Sequence, residues 1–591
     1  MSDIVHDDKT NKKLYRYIKS KKTENIGISD LKDKNNLLVT DPLKKAEMIH
    51  EQYNSVFSDP TPKIDPKLPE KDRLPSLGQI RVKSQGILKL LLSIDPNKAS
   101  GPDKVPGKFL RICAYEIADV YKVLFQASLD QGVVPPDWKE ANITPLYKNK
   151  GDKTMPENYR PISLTSLTCK LLEHVVHSNI MTHLDKYNVL DPEQHGFRKY
   201  RSCVTQLIST LDDFATCLKN KQHIDAVLLD FSKAFDKVDH EGLLLKLEHL
   251  GIRNSLLSWI RSFLVGRKQR VIVEGVASEP SSVLSGVPQG TVLGPLFFLV
   301  YINDIAQGLS KGTVLKLFAD DSLLYRIIKS PRDIEILQRD LDLLQNWEKK
   351  WKMEFHPGKC QHMKITNKKD PLPSKYFIHG IPISITDSAK YLGVVIDSKL
   401  KWKQHYSEIV KKCNSTLAFI KRNLNKAPKN IKSGCYTALV RPRAEYASAV
   451  WDPHHQVDIQ NIEKIQKRAA RFVTGNYKLE TGNTEFNLNE LNWPSLEERR
   501  LQTKLGIFQK ARLKQIDIPT DHLIFKSRPT RQGGDGQTYQ KYFSDIDSHR
   551  FSFYPHTTDL WNKLPVEVRL EHNIDTFTSK VKNIDLVSLK F

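Results

Sequence analysis

Two hydrophobic rhythms alternate along residues 76–400, one of period two and one of helical period, and their alternation predicts a mixed α/β domain. Leu207, Leu211, Phe214 and Leu218 recur at helical spacing. The run from Asp225 through Ala226, Val227, Leu228 and Leu229 to Asp230 is short, apolar and ends in a carboxylate, the pattern of a buried strand that delivers an acid to its tip. Further on, Leu315, Leu317 and Phe318 lead into Ala319-Asp320-Asp321, and Leu323, Leu324 and Tyr325 lead out, so this stretch reads strand, acidic turn, strand.

The flanks read differently. Residues 1–75 are charged and close on a Pro-rich stretch, Asp59-Pro60-Thr61-Pro62 through Leu74-Pro75, which suggests a helix or two and a linker. In 401–475 the apolar positions return to helical spacing. Ile459, Ile462, Ile465 and Ala469 share one face, while Lys464, Lys467, Arg468 and Arg471 stay off it. Residues 476–591 form a further segment with a Gly533-Gly534-Asp535-Gly536 turn. Its late aromatics, Phe551, Phe553, Tyr554 and Trp561, are expected in a core rather than on a base-stacking platform. No internal repeat is visible.

Charge narrows the choice of partner. Lys and Arg number 91 against 68 Asp and Glu, a net +23. Such an excess favours a polyanion, because each neutralised phosphate releases counterions. The excess is steep in 401–472, where 15 Lys and Arg face 5 Asp and Glu, and a basic helical module after an α/β domain suits a clamp on a nucleic-acid backbone. A solvated helix face would look the same. None of the 7 cysteines falls in a Cys-x-x-Cys pair, which argues against a zinc knuckle and for reduced thiols in an intracellular protein. Met1–Thr10 lacks an apolar signal core, and the longest apolar run, Val292–Ile302, is too short to span a bilayer. No membrane role is expected.

Adjacent carboxylates on a hairpin tip are ordinarily a solvated turn. A second acidic strand end at Asp230 changes that reading. Nucleotidyl transfer uses two hard divalent cations held by carboxylate oxygens, and two acidic strand ends that meet would supply such a site. Between them lies Ser285-Gly286-Val287-Pro288-Gln289-Gly290-Thr291, whose small residues permit close backbone approach and whose Gln289 offers an amide.

In order, the chain shows Asn158-Tyr159-Arg160-Pro161-Ile162-Ser163-Leu164, Gln194-His195-Gly196-Phe197-Arg198, the Asp230-Phe231-Ser232-Lys233-Ala234-Phe235-Asp236 block, the Gly286 block, Phe318-Ala319-Asp320-Asp321, and Tyr391-Leu392-Gly393-Val394-Val395-Ile396-Asp397. This series resembles the reverse transcriptases of non-LTR retrotransposons of the jockey and CR1 type. Asp95-Pro96-Asn97-Lys98-Ala99-Ser100-Gly101-Pro102-Asp103 looks like their extra N-terminal block, and Leu560-Trp561-Asn562-Lys563-Leu564-Pro565 like their C-terminal signature.

The resemblance implies an α/β right-hand polymerase with an α+β palm: fingers and palm in 76–400, thumb in 401–475, and a mainly helical region of unknown role in 476–591. It implies an RNA-directed DNA polymerase that takes an RNA template, a DNA primer or target DNA, and deoxynucleotides, with two Mg²⁺ ions as cofactor. Asp230, Asp320 and Asp321 match the metal-holding palm carboxylates. Phe235 matches the gate against a ribose 2′-hydroxyl, its alternative being a core phenylalanine. Gln289 matches the residue alongside the incoming nucleotide, Lys148 and Arg160 match triphosphate-binding fingers residues, and Lys359 matches the general acid for pyrophosphate. The Tyr391–Asp397 block matches the primer grip. Family members carry an apurinic-like endonuclease ahead of the polymerase. Residues 1–75 have no room for one, Tyr15–Phe57 resembling the connector that follows it. Family biology implies the nucleus, the cytoplasm or both. Two rivals stand beside this reading: a silent nucleic-acid-binding relic, and another templated polymerase.

Overall fold

The computed structural model describes residues 27–57, 68, 73–478, 480, 482–525 and 537–590. Met1–Thr10, the Asp59–Pro62 start of the Pro-rich stretch and the Gly533–Gly536 turn lie outside them, as does Tyr15 at the start of the connector.

At the centre is a five-stranded sheet in the order Ser384–Ile385, Gln361–Ile365, Ile224–Leu229, Asp321–Ile327, Thr313–Phe318. Its neighbours are antiparallel except for the first pair. Both faces are buried, and the period-two alternation of strand side chains sends successive residues to different cores. Ile224 and Ala226 pack with Leu323, Tyr325 and Met363 on one face. Val227, Leu229 and Leu324 pack on the other, with Phe297, Trp351 and Phe355. The helix Cys203–Lys219, opened by a capping box between Ser202 and Thr205, lays Leu207, Leu211, Phe214 and Leu218 on the first face, as its spacing predicts. The apolar run becomes the helix Leu293–Ile302, buried along its length in the second core. No helix among the described residues is long and apolar enough to cross a membrane.

A second sheet, the fingers, pairs Tyr159–Leu164, Glu140–Tyr147, Lys268–Val273 and Val276–Ala277 in that order. Against it packs the helix Pro42–Asn54, which buries Ile49 and Tyr53 with Ile143, Tyr159 and Val271 and ties Lys45 to Glu274 at 2.9 Å. Part of the segment read as a connector is thus built into the fingers' core.

Beyond the sheet, the hairpin Ser388–Tyr391/Val394–Asp397 turns through Leu392 and Gly393, both at positive φ, the backbone a two-residue hairpin loop demands. The thumb helices follow. In Gln456–Thr474, Ile459, Ile462, Ile465 and Ala469 are buried while Lys464 and Arg468 are exposed. The C-terminal region is helical, with Leu496–Arg512 and Phe553–Lys563 its longest helices. Phe553, Tyr554 and Trp561 are core residues, continuous with the thumb and with one face of the central sheet. Its attachment to the thumb is ionic as well as apolar: Arg500 and Lys504 reach the buried Asp452 at 2.7 and 3.1 Å. Burial alone would raise the Asp452 pKa, but the two cations hold it well below the usual carboxylate range.

Candidate active site

Strand register puts the acids together. Ser322 pairs with Leu229, so the next rung sets Asp321 against Asp230 at the strand's carboxyl end, and Asp321 also pairs with Phe318 across the tight turn holding Asp320. Ala319 adopts a positive φ of 54° in that turn. Such a backbone needs outside support in a residue other than glycine. The support comes from the Gln194 block. Gln194 Oε1 accepts from Ala319 N at 2.9 Å and from Gly196 N at 2.8 Å, and His195 N donates to Leu317 O at 2.9 Å. A Cβ on Gly196 would stand 2.4 Å from Ala319 N, so only glycine lets this loop lie against the acidic turn.

The Gly286 block supports the other acid's loop. Gly286 N donates to Val238 O and Val287 N to Phe235 O, both at 2.8 Å, while Ser163 N donates to Gln289 O at 2.8 Å. One loop thereby ties the residues after Asp230 to the fingers strand Tyr159–Leu164. Gly286 sits at φ 85°, with Asp236 O 2.7 Å from where a Cβ would be. Two sequence blocks that looked like separate motifs are struts for the two acidic strand ends.

The result is a cleft of about 560 Å³ between fingers and central sheet. Asp230, Asp320, Phe235, Gln289, Lys148, Arg160 and Lys359 all line it. Asp321 is exposed and is not among the residues that line it. The carboxylates repel one another. Desolvation by the surrounding protein and then the charge of Asp230 raise the Asp320 pKa, with Arg160 opposing. Desolvation, Asp320 and Asp230 push Asp321 up to about 6. Lys359 Nζ stands 3.4 Å from Asp230 Oδ2. The ligand atoms of the three acids do not all come within 4.8 Å of one another. Three clustered carboxylates, of which Asp320 and Asp321 hold their protons more tightly than usual, form a hard-oxygen donor set short of positive charge, and divalent cations of the kind reverse transcriptases use fit that deficit.

Opposite the acids is a cationic wall. Burial and then Arg160 and Lys359 lower the Lys148 pKa, the sign of three like charges facing one space. Lys148 Nζ is anchored on Glu157 O at 2.7 Å. Phe235 is stacked on Phe298 (centroids 4.3 Å apart, 17° between planes) and meets Phe197 edge-on at 6.4 Å, with part of its ring facing the cleft. It is both a packed aromatic and a wall of the site.

Asp236 escaped sequence reading as a site residue. It is half-buried in the cleft and accepts from Gln289 Nε2 at 3.1 Å, which fixes the amide's direction. Burial, against the pull of Gln289, Lys233 and Lys148, raises its pKa to about 6. Its place one residue after Phe235 was the only available signal. Tyr53 and Phe57, at the end of the N-terminal helix, also line the cleft. Nothing local in their sequence marks them for it.

Paired acidic strand ends thus face basic side chains across one open cleft. Residues 147–396 match the family described as reverse transcriptase (RNA-dependent DNA polymerase). The chain is 27% identical over 396 residues to the probable RNA-directed DNA polymerase from transposon X-element of Drosophila melanogaster, a match covering 66% of this chain and 43% of that protein. It is 29% identical over 403 residues to the RNA-directed DNA polymerase from mobile element jockey of Drosophila funebris, again 66% and 43%. A probable RNA-directed DNA polymerase from transposon BS of D. melanogaster is 27% identical over 404 residues, 66% and 44%. The matched part is thus less than half the length of these relatives.

Proposed function

We propose that this chain is an RNA-directed DNA polymerase that copies an RNA template by adding deoxynucleotides to a DNA primer or to target DNA. The observation that carries this reading is convergence: seven residues spread from Lys148 to Lys359 along the sequence line one cleft. A structural role for each alone would not gather them there.

Asp230, Asp320 and Asp321 would hold two Mg²⁺ ions, which when bound supply a lowered pKa at the primer 3′-hydroxyl and neutralise the leaving pyrophosphate. The chain's own work is positioning and charge. Arg160 presents a planar fork and Lys148 a point charge to the triphosphate. The Arg160 backbone is held in the fingers sheet opposite Leu146, while its guanidinium makes no hydrogen bond to another described residue, which leaves the fork available for that contact. Gln289, aimed by Asp236, lies beside the incoming nucleotide, and Phe235 closes the space a 2′-hydroxyl would need. Lys359, at the cleft beside Asp230, would give a proton to the departing pyrophosphate.

The test is primer extension on poly(rA) annealed to oligo(dT) with Mg²⁺ and dTTP, comparing the chain with its Asp320→Asn variant. Extension by the first and none by the second is expected. Equal extension by both would overturn the site. No extension by either, with salt-sensitive RNA binding retained, would favour a protein that binds nucleic acid without copying it.

A further inference from the structure

Far from the palm carboxylates in sequence, the thumb and the C-terminal region meet at His454, His455 and Asp547. Among the described residues this is the one trio of His, Cys, Asp or Glu whose ligand atoms all lie within 4.8 Å of one another. We propose that His454, His455 and Asp547 bind one zinc ion that clips the C-terminal region onto the thumb.

The spacing is what separates a metal site from an ion pair here. A charge-assisted hydrogen bond brings nitrogen and oxygen to about 2.7–2.9 Å. His454 Nε2 and Asp547 Oδ2 are 3.6 Å apart. Tetrahedral zinc with ligands at about 2.0–2.2 Å sets neighbouring ligand atoms about 3.3–3.6 Å from one another. The nitrogen is also shielded from solvent and has no hydrogen-bond partner. The unprotonated nitrogen of a neutral imidazole offers a lone pair. A buried lone pair of that kind costs free energy until something accepts it.

The surroundings hold the ligands in place before any ion arrives. Phe551 stacks on His454 with centroids 4.2 Å apart and 2° between planes, and the His455 ring lies 4.0 Å from His454. Pro453 fixes the backbone before the pair, Asp452 is locked by Arg500 and Lys504, and the helix Gln456–Thr474 begins immediately after His455. Asp547 opens the short helix that carries Phe551's segment. Beside the trio is a cavity of about 30 Å³ in which Asp212, Asp452, His454 and Asp547 supply polar groups among apolar side chains such as Leu211, Trp402 and Phe551. That is room for one water as a fourth ligand. Two nitrogens, a carboxylate oxygen and a water form a donor set that zinc accepts.

Zinc binding to the full chain, stripped with EDTA and measured by calorimetry with a competing chelator, tests the proposal. Asp230→Asn/Asp320→Asn serves as background, so that the palm acids do not contribute. One equivalent is expected, with a rise in melting temperature and, on replacement by Co²⁺, a visible absorption band of four-coordinate type. His455 and Asp547 are exposed, so His455→Gln and Asp547→Asn should leave the fold intact by circular dichroism. Each should weaken zinc binding about tenfold or more. Unchanged affinity in the double variant, or no zinc equivalent in the palm-silenced chain, would overturn the proposal. Primer extension does not enter this readout, so the two proposals stand or fall separately.

Discussion

Asp321→Asn should make the metal-free protein more stable at pH 8 while weakening its response to Mg²⁺. Desolvation, then Asp320 and Asp230, raise the Asp321 pKa from 3.8 to about 6. In the unfolded chain the same group ionises near its ordinary value. The folded state therefore binds this proton more tightly, so the group favours folding fully below about pH 4, and that benefit is lost as pH rises through about 6. Taken at face value the shift corresponds to about 3 kcal/mol. Asp321 is exposed, and solvent screening cuts this to about 1 kcal/mol. Asn removes the charge without changing the shape. In EDTA at pH 8 the variant should melt about 2–4 °C above wild type if the palm unfolds as a unit of about 150–250 residues. The gap should close at pH 4, where both side chains are neutral. Adding Mg²⁺ should raise the wild-type midpoint more than the variant's, because bound cation consumes the repulsion that Asn has already removed. Differential scanning fluorimetry across pH 4–8, with EDTA and with Mg²⁺, gives every arm. A variant that melts below wild type at pH 8 in EDTA, or a gap as large at pH 4 as at pH 8, would refute the reasoning.

Two further changes probe the struts and the gate. Gln194→Leu keeps the volume of a side chain that is 2% exposed but strips the acceptor from Ala319 N and Gly196 N. Each stranded amide should cost about 1–3 kcal/mol, and a shift of the acidic turn by about 1 Å should lower the extension rate about 100-fold. A wild-type initial rate would show that the turn holds its place without Gln194. Phe235→Val opens the wall beside the sugar, so single-turnover incorporation should lose about tenfold or more of its preference for deoxy- over ribonucleotides; an unchanged ratio would leave Phe235 as packing against Phe298 alone.

Legibility in the sequence followed the range of the physical signal. The helix Cys203–Lys219 and the strand Ile224–Leu229 were readable because their periods repeat within a few residues. Of the late aromatics, Phe553, Tyr554 and Trp561 were readable as core because residues that large are costly to leave in water, whereas Phe551 stays half-buried. Asp230 and Asp320 could be paired on chemistry, but which rung they share depends on register across Ser322 and Leu229, and register is a property of two strands at once. Asp236, Tyr53 and Phe57 were silent for the same reason. Each enters the cleft through a contact from another part of the chain: Gln289 fixes the first, and the packing of the helix Pro42–Asn54 on the fingers sheet brings the other two.

The glycine blocks show how far one motif's constraint extends. Gly196 and Gly286 are required by their partners, Ala319 N and Asp236 O, rather than by any ligand they would touch. A substitution at either would act on the acids through the backbone. The acids themselves work against the fold, since the cluster that could receive cations raises the pKa of its own members. Stability held in reserve elsewhere must offset that. The two cores that sandwich the central sheet are the physical source of it: each buries a largely apolar face of the strands whose ends carry the charge, the buried Asp225 being held by Tyr376. The acids can crowd at the strand ends because the strands behind them are clamped on both sides. It follows that core substitutions such as Leu324→Ala, far from the cleft surface, should loosen the carboxylate pair before they unfold the chain.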